Sequence, residues 1–168
     1  MVVQISRKQL QPFLMEPKAV GIKDPYYLIL GEEQTISVIS SGKNGSEYNK
    51  TIGFFNKLQG AVTLTCLYGQ GVVIIQRNDE LGEAKEFKVS TISPGKQVEI
   101  PSGWGHSIIN IGKKFLMVIN NSIPQKLQSQ EPLVQKRGLA YYIVEKKGEV
   151  GFEGNSNYRV RPQITTAV

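Results

Sequence analysis

From Tyr26 to Glu145 the sequence is a series of short β-rich runs separated by tight turn clusters, and this punctuation decides the fold class. The runs are Tyr26–Leu30, Gln34–Ser40, Val62–Leu67, Gly71–Gln76, Glu86–Ser90, Gln97–Ile100, Phe115–Asn120 and Leu139–Glu145. Between them lie Ser41-Gly42-Lys43-Asn44-Gly45, Tyr68-Gly69-Gln70-Gly71, Arg77-Asn78-Asp79, Ser93-Pro94-Gly95 and Asn110-Ile111-Gly112. Short strands with Gly, Pro and Asn turns at close spacing predict an all-β sandwich or barrel, not alternating βαβ units. Such a chain manages its sheet edges by closing or by doubling its sheets. Ahead of the strands there is room for one short helix, Arg7 to Met15, limited by Pro12 and Pro17.

The 168 residues match one domain, and 40% hydrophobic against 20% charged residues excludes wholesale disorder. No window approaches the apolar length of a membrane span, and the start MVVQISRKQLQPF lacks the apolar run of a secretory leader. Cys66, the one cysteine, forms no internal disulfide and reads as a small hydrophobe in mid-strand. A cytoplasmic protein is expected. Lys+Arg 20 against Asp+Glu 14 leave a net charge of +6, which favours anionic partners. That charge is scattered in pairs such as Lys113-Lys114, Lys136-Arg137 and Lys146-Lys147. A solvated basic surface is the plainer reading, with nucleic acid or the ribosome as the more specific one.

The middle of the chain is the most informative part. Gly69 and Gly71 form a Gly-bearing turn between two apolar runs; Pro94-Gly95 opens a second unit, closed by Pro101-x-Gly103-x-x-His106-x-x-x-Asn110. These parts, in this order, resemble the two cupin motifs. Pro101 to Gly112 is similar to the "P-x-x-W-x-H-x-x-x-N-I-G" stretch of the archaeal cupin-type glucose-6-phosphate isomerases. Upstream, Ser37-Val38-Ile39, Gly42-Lys43, Gly45, Glu47 and Thr51-x-Gly53 fall where that family carries its phosphate-contacting positions. Downstream, Lys136-Arg137-Gly138 and Val144 to Val150 resemble its C-terminal stretch. The resemblance implies a cupin double-stranded β-helix, a jelly-roll barrel, in a single domain over residues 1–168. Its core covers about residues 24–150, with an N-terminal arm (1–23) and a C-terminal extension (151–168). It also implies a homodimer, since cupins of this kind pair through N-terminal strands and an open sheet edge needs a cover.

The family holds a divalent metal with two His of a "G-H-x-H" stretch, a following Glu that also serves as proton-transfer base, and the His of the second motif. On this sequence those positions fall on Phe54, Asn56, Val62 and His106, so only the last keeps its ligand. A metal site is defined by several converging N, O or S donors, and one imidazole does not make one. No metal or other cofactor is expected. One of the family's phosphate-gripping tyrosines falls on Asn120. What remains is a set of anion-binding candidates, Ser37, Thr51, Gly53 and Lys43, with Lys50 and Lys57 near in sequence and Trp104 as a wall. Ser and Thr also suit strands, and Trp104 also suits barrel-rim packing. For proton transfer the candidates are His106 and, if displaced, Glu47.

Three functions follow. The first is a metal-free relative that binds a sugar phosphate, another small anion or a partner without catalysis. The second is a sugar-phosphate isomerase or epimerase working through His106. The third is a basic interaction protein for nucleic acid or the ribosome, resting on the charge alone.

Overall fold

Period-two burial governs the strands. In Thr35–Ile39 the first, third and fifth residues are buried and the two between are half-buried, and Leu116–Asn120 repeats the pattern. The structure, a computed structural model, describes residues 1–122 and 128–167; Val168, the end of the expected C-terminal extension, lies outside them. Its strands are β1 (Val2–Ile5), β2 (Tyr26–Leu30), β3 (Thr35–Ile39), β4 (Lys43–Asn44), β5 (Glu47–Tyr48) and β6 (Phe54–Asn56). They continue as β7 (Val62–Tyr68), β8 (Gly71–Asn78), β9 (Ala84–Ile92), β10 (Gln97–Ile100) and β11 (Gly105–Asn110). The last are β12 (Leu116–Asn120), β13 (Gln128–Ser129), β14 (Tyr141–Lys146), β15 (Glu149–Gly154) and β16 (Ile164–Thr166).

The pairing is nested. β8 pairs with β9, β7 with β10, β6 with β11 and β3 with β12, all antiparallel. The chain is thus folded back on itself at the β8–β9 hairpin, and the double strand is wound into two sheets. The first runs β1-β2-β3-β12-β7-β10 and the second β13-β6-β11-β8-β9-β16. This is the connectivity of a double-stranded β-helix, the jelly roll. A third, small sheet, β15-β14-β5-β4, belongs to an outer layer.

Two apolar clusters result. One fills the space between the first and second sheets and includes Leu28, Ile39, Val62, Leu64, Val73, Ile75, Ile100, Ile108 and Val118. The other lies on the far side of the second sheet, where Val72, Ile74, Phe87 and Ile109 meet Leu10, Phe13, Leu133, Leu139 and Ile143. Each fully buried aliphatic side chain contributes roughly 1.5–3 kcal/mol. The N-terminal arm and the C-terminal extension are built into these layers: β1 extends the first sheet, and β16 lies parallel on β9 at an edge of the second. Among the described residues no helix is long and apolar enough to cross a membrane.

The expected helix Arg7 to Met15 is shorter. A helical turn Arg7–Leu10 starts on a Ser6/Gln9 capping box and gives way to a 3-10 turn, Gln11–Phe13. Pro12 has no N–H for the i−4 bond, so the α-helix stops there.

Candidate functional site

Strand register places the site. His106 and Ile108 share a face of β11, and both Ile108 and Ile75, which lies directly opposite His106 on β8, belong to the barrel-interior cluster. His106 therefore points into the barrel. Phe54 lies opposite it on β6, with the two rings 6.5 Å apart. Asn56, two residues on, shares that face, and Val62 is wholly buried in the same interior. All four positions that the metal-ligand resemblance singled out converge on one end of the barrel.

Their chemistry does not fit a divalent metal. Phe54 and Val62 carry no donor atom. The amide nitrogen of Asn56 donates to the carbonyls of Gly60 (2.9 Å) and Ile100 (3.0 Å), and its oxygen accepts from the Leu58 N–H at 2.9 Å. Its side chain is thus committed to holding the loop after β6. His106 alone offers a free donor: it is 3% exposed and its Nδ1 has no hydrogen-bond partner. Burial pushes its pKa down from 6.5 to about 4, against a smaller opposing effect from a hydrogen bond to the Phe54 backbone. The imidazole is neutral at physiological pH.

This depression has a measurable sign. Below pH 6.5 the unfolded chain takes up a proton that the folded chain refuses until about pH 4, so stability falls as pH falls across that window. The whole step is roughly 3 kcal/mol. His106→Gln should flatten the fall of the urea midpoint between pH 6.5 and 4. A slope unchanged by the substitution would show that His106 is not the group responsible. Glu83 loses stability in a lower window, because Lys136 and the N–H groups of Val160 and Arg159 hold its carboxyl down at about 2.

At the same end of the barrel the indole of Trp104 packs against the interior cluster and carries two cations on its ring. The Lys88 ammonium stands 5.2 Å from the ring centroid and the Arg77 guanidinium 6.0 Å. Arg77 is also paired with Glu86, and Lys88 stands 3.9 Å from that carboxylate, so two cations share one anion. Arg77 and Lys88 were not candidates on sequence. The signal lay in the hairpin register: Arg77 is two residues from Ile75, and Lys88 lies directly opposite Ile75.

The other candidates are dispersed. Ser37 sits on β3 between Leu28 and Val118 in register, on the buried face of the first sheet. The Thr51 hydroxyl accepts from the Ile108 N–H at 3.0 Å, and its carbonyl accepts from Ser107 Oγ at 2.7 Å. Gly53 has φ +89, and a Cβ there would run into the His106 carbonyl oxygen, so glycine sets how closely this segment approaches β11. Lys43 lies in the third sheet, paired with Glu145. Glu47 is 1% exposed, its Oε2 is 2.6 Å from Lys50 Nζ, and its Oε1 accepts from the Met15 N–H at 2.9 Å. Lys50 also donates to the Phe13 carbonyl at 2.6 Å. This pair borders a cavity of about 10 Å³, room for one water, with Ser107 and Ile109 in its wall. Ser107 and Ile109 face away from the barrel interior, so Glu47 and His106 lie on opposite sides of the second sheet. The structure does not bring them together as an acid–base pair, nor Lys43 to Ser37. Asn120 closes β12 on the buried face, where its Oδ1 accepts from the Ser122 N–H at 2.9 Å.

The family model described as "Glucose-6-phosphate isomerase (GPI)" matches residues 31–161. The glucose-6-phosphate isomerase of Pyrococcus furiosus is 28% identical over 127 residues, which are 73% of this chain and 62% of that protein. That of Thermococcus litoralis is 27% identical over 125 residues, 74% of this chain and 63% of that protein. The chain therefore spans less than two thirds of the length of these relatives. Among solved structures, the Drosophila melanogaster CENP-C cupin domain aligns with a TM-score of 0.42 and 15% identity, covering 67% of this chain and 77% of that one. Lactobacillus farciminis oxalate decarboxylase, in its formate complex, aligns with a TM-score of 0.42 and 15% identity, covering 72% and 28%.

Proposed function

The chain belongs to the glucose-6-phosphate isomerase family, and from that premise we propose that it is a metal-free member that binds a sugar phosphate or a similar small anion without turning it over. The observation that carries this reading is the interior set Phe54, Asn56, Val62 and His106, which supplies one free donor where a metal-dependent isomerase needs several. The mouth of the barrel keeps what an anion needs. Arg77 and Lys88 converge on Trp104 with one carboxylate between them, leaving a net positive charge beside an indole face that a sugar ring can rest on.

Titration calorimetry with fructose 6-phosphate and glucose 6-phosphate, beside a turnover assay with and without added divalent metal, tests the proposal. Saturable binding without turnover is expected, with about 10- to 100-fold weaker binding in Arg77→Ala or Lys88→Ala, the loss of one charge-assisted contact. Turnover that rises with added metal, or no saturable binding, would overturn it.

One observation favours a second reading. The His106 Nδ1 is unpartnered inside the barrel and so free to accept a proton, although burial holds its pKa down to about 4 and makes it a weak base until a bound substrate changes its surroundings. Metal-independent isomerisation or epimerisation abolished by His106→Ala would establish that route. The position of Glu47 across the sheet leaves it a single-base mechanism.

A further inference from the structure

β11 runs from His106, at the mouth, to Asn110 at the opposite end of the barrel, where the turns after β7, β9 and β11 meet. These turns enclose a groove of about 590 Å³, within the roughly 300–1,000 Å³ of small-molecule sites. Each turn is held in place. Asn110, which closes the second sequence motif, accepts from the Gly112 N–H at 2.9 Å and donates to the Ile39 and Lys114 carbonyls at 3.0 and 2.9 Å. It thereby fixes the turn that carries Lys113 and Lys114. Gly69, of the first motif, has φ +88, and a Cβ there would stand 2.6 Å from the Phe115 carbonyl oxygen. Glycine thus lets the turn after β7 close on the turn after β11. The turn after β9 is tied to β7, the Gly95 N–H donating to the Cys66 carbonyl at 2.9 Å.

The lining divides by chemistry. Tyr68 forms one wall, and its ring is backed by that of Phe115, centroids 4.9 Å apart and planes at 30°. Pro94 and Ile111 add apolar surface. Lys113 and Lys114 are exposed and, among the described residues, have no ion-pair partner; no residue of the lining is acidic. We propose that this groove binds a nucleotide, with the base against Tyr68 and the phosphate taken by Lys113 and Lys114. An aromatic face accepts any base by stacking, and ammonium groups make charge-assisted hydrogen bonds to phosphate. A sugar phosphate would leave the aromatic and apolar wall unused. A peptide strand would find no sheet edge to join, since no lining residue lies on an edge strand. One backed ring and one pair of lysines match one nucleotide unit, not a strand of several. The groove is at the other end of the barrel from the anion site, and the inference stands whether or not that site binds a sugar phosphate.

Titration calorimetry with adenosine 5′-monophosphate is the test. Saturable binding with Kd of about 10 μM to 1 mM is expected, unchanged by saturating fructose 6-phosphate. Adenosine and ribose 5-phosphate, each half of the ligand, should bind at least about tenfold more weakly. Tyr68→Leu should weaken binding about tenfold or more through lost stacking. Lys113→Gln combined with Lys114→Gln, at two exposed positions that carry no packing, should do the same through lost charge and should leave the melting temperature unchanged. No saturable binding, ribose 5-phosphate as tight as the nucleotide, displacement by fructose 6-phosphate, or indifference to the lysine substitutions would overturn the proposal. So would an adenylate hexamer binding more than about tenfold tighter than the monomer, which would make the groove part of a strand path.

Discussion

Gly53→Ala will destabilise the fold by about 2–5 kcal/mol, more than alanine at the positive-φ glycines with open space around them, Gly82, Gly95, Gly103 and Gly148. Two costs add. A Cβ in the left-handed region costs roughly 1–2 kcal/mol, and here it also meets the His106 carbonyl oxygen, a backbone atom that cannot swing aside. Overpacking of this kind costs typically 1–3 kcal/mol. Gly103 provides the control: its φ is +82 against +89 at Gly53, but nothing stands within 4 Å of a Cβ there. Gly103→Ala should therefore show the conformational cost alone. Urea unfolding of the two variants separates the terms, and equal losses would refute the close approach of this segment to β11.

Lys50→Ala will have an effect of similar size for a different reason. Lys50 and Glu47 are both nearly inaccessible to water, and together they hold the Phe13 carbonyl and the Met15 N–H. Removing one partner leaves a carboxylate buried without its cation, a loss of about 3–5 kcal/mol. Replacing both, as in Glu47→Leu with Lys50→Met, removes the charge and its desolvation together and should cost much less. The N-terminal segment supplies the comparison readout. In Lys50→Ala the chain around Phe13 should become sensitive to brief proteolysis before the barrel does. A double variant as unstable as the single would argue that packing, not the stranded charge, sets the loss.

The longer strands of the barrel were legible because each is an alternating or continuous apolar run bounded by turn residues; Tyr26–Leu30 and Gln97–Ile100 match in both boundaries. The two- and three-residue strands β4, β5 and β6 were not, since so few residues hold no period. β11 was read as a motif because Gly105 and His106 stand at its start and all of its residues are buried on both sides. Within the site, the interior convergence of Phe54, Asn56, Val62 and His106 followed from the family resemblance. The basic mouth did not, because Arg77 looks like a turn residue until β8 is seen to run on to Asn78. Lys43, Lys50 and Ser37 are close in sequence but part in space, because β3 enters the first sheet and β4 the third. Linear proximity carries no information about that parting.

The nested pairing has a consequence in time. β8 and β9 are joined by a short turn, whereas β7–β10, β6–β11 and β3–β12 each close a longer loop than the pair before. Loop closure grows more costly with length, and pairings remote in sequence are slow to form. Assembly therefore proceeds outward from the central hairpin, like a rope folded at its midpoint and coiled from there. β12 joins late, yet it supplies the middle of the first sheet, so that sheet stays open until the final closures while the β8–β9 hairpin is already in place.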